Sequence, residues 1–182
     1  MFYCFLATGF EEIEAITTVD MLRRAEIEVM TVSVDGDGEN LVKGAHGISV
    51  KADIDIAELD FENIEGVILP GGMPGTLNLE MSEGVVRALE FCAENDLYIF
   101  AICAAPQILG HKGILNGKNA TCYPGFETEL KGALLSDLPA VKDGKVITAK
   151  GPGATIDFAA EIIKELKGEN TALTLKESMQ CS

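Results

Sequence analysis

The sequence predicts one α/β domain spanning residues 1–182, with a mostly parallel central sheet covered by helices on both faces. Three observations lead there. Short apolar runs of strand length alternate with segments of helical period. Several of those runs, such as Tyr98-Ile99-Phe100, are continuously apolar, as strands buried on both faces must be. No linker, internal repeat or low-complexity tract divides the 182 residues, a length that suits one domain with a full core.

Taken in order, Met1–Thr8 reads as the first strand, and Gly9-Phe10-Glu11-Glu12 turns into a helix running to about Ala25. Glu28–Val34 is a second strand. Asp35-Gly36-Asp37-Gly38 is turn material that matches the opening of a calcium loop but not the rest of that pattern. Leu41–Ala52 carries strand signals around Gly44 and Gly47 and predicts a hairpin. Glu65–Leu69 is a short buried strand broken by Pro70-Gly71-Gly72-Met73-Pro74-Gly75. Val85, Val86, Leu89 and Cys92 mark a helix ending near Asn95-Asp96. The strand at Tyr98 leads through Cys103 into a helix whose first turn takes Pro106, closed by Gly110 and Gly113. Asn119–Cys122 is a candidate strand and Phe126–Lys131 a short helix. Asp143-Gly144 marks a hairpin turn between Ala140-Val141 and Val146–Ala149. Ala154–Lys167 is the last clear helix, and Thr171–Ser182 has no decisive pattern.

Charge and cysteine usage exclude several function classes. The net charge of −15 and sequence pI near 4.4 argue against a nucleic-acid or anionic-membrane surface, both of which need clustered Lys and Arg. No apolar run approaches membrane-spanning length, and the N-terminus MFYCFLATGFEE has neither a basic region nor a cleavage site, so a cytoplasmic protein is expected. Five cysteines, an odd number without C-x-x-C spacing, make a disulfide framework or zinc site unexpected. With only His46 and His111 available, a histidine-built metal site is not expected either.

The chemistry concentrates at Cys103. Its position between an apolar strand and Pro106, among the small residues Ala101 to Ala105, predicts a sharp strand-to-helix turn that presents one side chain upward. The positive end of the following helix would favour a thiolate there; the plainer reading is a buried small apolar residue. Ligands of open parallel sheets bind beyond the carboxyl ends of the strands. Glu11, Glu12 and Glu14, the Pro70-Gly71-Gly72 turn and the Cys103 elbow can converge at such ends. Gly71 and Gly72 would offer bare backbone N–H groups to an oxyanion, beside the N–H of Ala104. Glu11 and Glu12 are explained as charges on a helix N-terminus. Glu14, among Ile13, Ala15 and Ile16, would be drawn inward, keep its proton beside the sulfur, and serve as a general acid/base.

G-F-E-E-I-E-A at Gly9–Ala15, L-P-G-G at Leu69–Gly72, A-I-C-A-A-P at Ala101–Pro106 and K-G-P-G at Lys150–Gly153 together resemble the ThiJ/PfpI family, and within it the Parkinsonism-associated deglycase branch. The resemblance covers nearly the whole chain, with the motifs in order. It implies a flavodoxin-like three-layer sandwich, a homodimer, Cys103 as the oxidation-prone cysteine, Glu14 as its hydrogen-bonding carboxyl, and backbone groups of Gly71, Gly72 and Ala104 around the pocket. The family's protease-like members place a histidine directly after the cysteine; here Ala104 stands there, so protease and glutamine amidotransferase chemistry are not expected. Many members of the deglycase branch carry a histidine near the pocket where this chain reads Thr121-Cys122-Tyr123-Pro124, which puts Tyr123 at the site. His111 reads as structural, and His46, in the hairpin, is placed at the rim.

These features support a cofactor-free, metal-free glyoxalase or deglycase acting on small 2-oxoaldehydes such as methylglyoxal, through a hemithioacetal on Cys103 with Glu14 as acid/base. The alternative is an oxidative-stress sensor or chaperone whose Cys103 is oxidised to sulfinate without turnover. A third reading, an inert cysteine in an interaction domain, leaves the carboxyl beside the elbow unexplained.

Overall fold

The run Phe2–Leu6 forms β1, every residue of it buried, and the sheet is built outward from this strand. The structure, a computed structural model, describes residues 1–36 and 38–181, so the turn expected at Asp35–Gly38 falls partly outside the described residues. After β1 come α1 (Glu12–Arg24), β2 (Val29–Ser33), the hairpin strands β3 (Leu41–Lys43) and β4 (Ser49–Lys51), and the short β5 (Ile54–Asp55). β6 (Gly66–Leu69), α2 (Gly75–Met81), α3 (Glu83–Glu94), β7 (Tyr98–Ile102) and α4 (Pro106–His111) follow. β8 (Asn119–Ala120), β9 (Leu134–Leu135), β10 (Ala140–Asp143), β11 (Val146–Ala149), α5 (Thr155–Lys167) and α6 (Glu169–Ser178) complete the chain.

Seven strands form the main sheet in the order β10-β11-β7-β6-β1-β2-β5. All neighbours are parallel except β10 and β11, which pair antiparallel about Asp143↔Val146. Successive side chains of a strand face opposite sides, and β1 shows the consequence. Phe2, Cys4 and Leu6 pack in one buried cluster with Val19 and Leu22 of α1 and Phe158 and Ile162 of α5. Tyr3 and Phe5 pack in the other, with Val85 and Leu89 of α3 and Ile108 of α4. The result is the three-layer α/β architecture with a mostly parallel sheet.

Several local expectations are corrected. The helix expected over Phe126–Lys131 is a single 3-10 turn at Glu127–Glu129, because α4 closes on the next residues: a methyl group at Gly110 would meet the Glu129 carbonyl at 2.1 Å. The strand expected over Asn119–Cys122 stops at Ala120, and the chain then bends until Tyr123 N–H donates to the Cys103 carbonyl at 2.8 Å. α2 and α6 have no counterpart in the sequence reading.

What matters for function is where strands end. The carboxyl ends of β1, β6, β7 and β11 lie side by side at the centre of the sheet. They deliver Gly9–Glu12, Pro70–Gly72, Cys103 and Lys150–Gly151 to one edge.

Candidate active site

Cys103 leaves β7 with φ +66°, a left-handed backbone that costs an L-residue roughly 1–2 kcal/mol. Two backbone hydrogen bonds hold it there: Cys103 N–H donates to Ala149 O at 2.9 Å, and its carbonyl accepts from Tyr123 N–H at 2.8 Å. The neighbours Ala101 and Ala105 are fully buried, and Cys103 itself is 8% exposed. The elbow is therefore pinned to the next strand on one side and to the Tyr123 segment on the other.

Glu14 reaches the same spot from α1. It is 1% exposed, and its Oε2 accepts the Gly71 N–H at 2.8 Å. Its Oε1 is buried with no hydrogen-bond partner among the described residues, and the carboxyl and the Cys103 thiol act on each other's proton affinity. The residue is the one expected from sequence, but for a different reason. Ile13 and Ile16, whose burial would have carried Glu14 inward, are 55% and 40% exposed; Ala15, Thr18, Val19 and Leu22 form the inward face.

Burial raises the Glu14 carboxyl to about 7, with hydrogen bonds from Cys103 and the Gly71 N–H opposing it and the charge of Glu11 adding to it. Burial also pushes the Cys103 thiol up to about 12, helped by the Glu14 charge and hydrogen bond and opposed by the N–H groups of Gly72 and Ala104. Burial thus works against the thiolate that the helix dipole would favour. α4 is only six residues long, and removing the sulfur from water outweighs it. Glu14 raises the thiol while the thiol's hydrogen bond lowers Glu14, so the two titrate as a coupled pair.

The glycines divide the work differently from the sequence expectation. Gly71 N–H is committed to Glu14 rather than open to an oxyanion, whereas the Gly72 and Ala104 N–H groups face the sulfur. Gly71 has no room for a side chain: a Cβ there would stand 2.6 Å from Cys103 Cβ and 2.8 Å from Glu14 Oε2. Gly72 adopts φ +91°, which suits glycine. Tyr123 forms an outer wall, its ring half exposed and edge-on to Phe126. Opposite it stands Gly151, not singled out in the sequence as a site residue; a Cβ there would lie 3.0 Å from Tyr123 Cδ2 and 3.9 Å from Cys103 Sγ.

The two histidines lie outside this pocket. His111 joins α4 to α2 and to the 3-10 turn, with Nδ1 2.5 Å from Glu80 Oε1 and Nε2 2.9 Å from Glu129 Oε2. Hydrogen bonds to Glu129 and Glu80 raise its pKa. His46 caps the hairpin over α1, its Nδ1 2.9 Å from Glu12 Oε2. Glu12 Oε1 accepts the backbone N–H groups of His46 at 2.8 Å and Ile48 at 3.3 Å. Burial pushes the Glu12 carboxyl up, but these donors outweigh it and hold it below the usual range.

Comparison with known proteins agrees with this architecture. The model of the DJ-1/PfpI family matches residues 2–165. Protein dj-1beta of Drosophila melanogaster is 37% identical over 166 residues, covering 90% of this chain and 88% of that protein. The Parkinson disease protein 7 homolog of Danio rerio is 33% identical, covering 94% and 92%. The solved structure of oxidized Toxoplasma gondii DJ-1 superposes with a TM-score of 0.93 at 31% identity, covering 98% of this chain and 97% of that one. Among the described residues, no helix is long and apolar enough to cross a membrane.

Proposed function

This chain belongs to the DJ-1/PfpI family, and from that premise we propose that it is a cysteine-dependent, cofactor-free glyoxalase or deglycase acting on small 2-oxoaldehydes such as methylglyoxal. The observation that carries the reading is the buried Glu14 carboxyl, held at about 7 beside Cys103. A base of that strength is balanced between taking and giving a proton at neutral pH.

The Cys103 thiol passes its proton to the Glu14 carboxylate as sulfur bonds to the aldehyde carbon. The Gly72 and Ala104 N–H groups hold the resulting oxyanion, which takes the proton to become a hemithioacetal. Glu14 then removes the hydrogen on that carbon as a proton, giving an enediolate; the hydroxyl proton passes from one oxygen to the other, and Glu14 returns its proton to the neighbouring carbon. The product is the thioester of a 2-hydroxy acid on Cys103. Water hydrolyses it, releasing lactate from methylglyoxal and restoring the thiol. The test is lactate formation from methylglyoxal without glutathione. Turnover should vanish in Cys103→Ser; a variant that keeps it removes the scheme.

A second reading, an oxidative-stress sensor, is favoured by the relative captured as oxidized Toxoplasma gondii DJ-1. Peroxide would convert Cys103 to sulfenic and then sulfinic acid, with the Glu14 proton on the sulfinate. Mass spectrometry after mild peroxide separates the cases: sulfinate confined to Cys103 supports a sensor, and oxidation spread over all five cysteines argues against it. The five cysteines are free, which fits a cytoplasmic, reducing setting. The exposed Ile13, Ile16 and Ile48 offer an apolar face for a homodimer. Sedimentation of Ile16→Lys as a monomer would support that interface, and an unchanged dimer would move it elsewhere.

A further inference from the structure

α4 follows the Cys103 elbow and ends at His111, where both imidazole nitrogens face carboxylates. Nδ1 lies 2.5 Å from Glu80 Oε1, near the end of α2, and Nε2 lies 2.9 Å from Glu129 Oε2, in the 3-10 turn. An ionised carboxylate only accepts hydrogen bonds, and a neutral imidazole carries a single N–H. Both contacts are therefore hydrogen bonds only while the ring is an imidazolium. The hydrogen bonds to Glu129 and Glu80 raise the His111 pKa, against partial burial and the charge of Lys131.

The Glu129 contact closes a circuit of bonds around the pocket wall. Tyr123 N–H donates to the Cys103 carbonyl at 2.8 Å, Phe126 N–H to Tyr123 O at 3.1 Å, and Glu129 N–H to Phe126 O at 3.0 Å. Segment 123–129 is thus tied to the elbow at its first residue and to the far end of α4 at its last. From this geometry we propose that His111 is a positioning residue: its imidazolium latches segment 123–129, the outer wall of the Cys103 pocket, and loss of one proton releases the Glu129 end.

Glu129 is the partner that lets go. Its side chain is 41% exposed against 24% for Glu80, and the Lys131 charge still stabilises it once the ring is neutral. Glu80 has the shorter contact and keeps the remaining N–H. Lys112, the next residue along, is engaged with Glu90 of α3 at 3.0 Å. Because the fold raises the His111 pKa, the latch is closed below the ordinary 6.5 and opens as pH rises through the higher folded value. The latch does not depend on the chemistry proposed at Cys103, and it is read without turnover.

Hydrogen exchange of the full chain, with each rate divided by the intrinsic rate at that pH, tests it. Between about pH 6 and about pH 9 the Phe126 and Glu129 amides of wild type should lose at least about threefold of their protection. Glu129→Gln should show no such loss, because its amide accepts from the imidazolium and donates to the neutral ring. His111→Ala removes both bonds and should be weakly protected throughout. Iodoacetamide labelling of Cys103, read by peptide mass spectrometry, should be at least about twofold faster in wild type than in Glu129→Gln at about pH 9, and equal at about pH 6. Glu14 and Cys103 are common to both proteins, so the ratio isolates the latch. A wild-type profile without loss of protection, a loss that persists in Glu129→Gln, full protection in His111→Ala, or a labelling ratio that stays at one would each overturn the proposal.

Discussion

Glu12 and Glu14 stand two residues apart on the first turn of α1, both more than nine-tenths buried, yet their proton affinities move in opposite directions. Burial pushes both up. Glu12 meets an imidazole and two backbone N–H groups, which together hold it ionised. Glu14 meets one backbone N–H and a thiol, and burial prevails. The difference teaches that donor supply, rather than depth, decides what a buried carboxyl does. The hairpin side of α1 is a structural anchor, and the elbow side holds a proton that can be moved.

The sharpest way to break that contrast is Glu14→Gln. It should lower turnover of methylglyoxal by at least about a hundredfold, the scale of losing a positioned acid/base, while Cys103 remains open to alkylation. In wild type, kcat/KM should rise with pH and level off above about 7, where Glu14 becomes the base. Glu14→Gln should lose that inflection. Full turnover in the variant would return Glu14 to the same structural role as Glu12.

The same titration should move stability the other way. Glu14 is raised in the fold from its ordinary 4.5 to about 7. Its stabilising contribution is therefore complete below about 4.5 and lost as pH rises through about 7. By linkage the loss amounts to about 3 kcal/mol. Denaturant unfolding of wild type and Glu14→Gln from pH 4 to pH 8 isolates it, since the other titrating groups are common to both proteins. The wild type should fall relative to the variant by that amount; parallel profiles would mean Glu14 is not held near 7.

Much of this was legible in the sequence where the signal is local. The β7 run, the small residues around Cys103 and Pro106 specify the elbow within nine residues, and the glycines after β6 announce a close backbone approach. Elements without a periodic face were not legible. α2 begins at Gly75 with no side-chain cap and exposes Leu77 and Met81, and α6 buries only Ala172. Contacts between distant segments were hidden as well. His46 meets Glu12 across 34 positions, and Gly151 meets Tyr123 only because β11 lies beside β7. The assignment of Gly71 to the oxyanion failed for a related reason: which N–H Glu14 would claim depends on β6 lying between β1 and β7.

On the anchoring side, Glu12→Ala removes the acceptor for the His46 and Ile48 N–H groups and leaves a gap against Gly44. It should cost about 1–3 kcal/mol and speed hydrogen exchange at those two amides, with kcat for methylglyoxal within a few-fold of wild type. A large fall in kcat without loss of stability would mean that the hairpin and the elbow act as one unit.

The smallest effect should come from Tyr123. Its hold on the site runs through the backbone N–H on the Cys103 carbonyl and through the ring edge against Gly151, both of which survive in Tyr123→Phe. That variant should change kcat/KM by less than about threefold, under 1 kcal/mol of barrier. Tyr123→His adds a ring that titrates near neutral pH and tests the opposite case. If it accelerates turnover while Phe is neutral, the proton traffic at Cys103 is limited by supply, and the single acid/base at Glu14 is the reason.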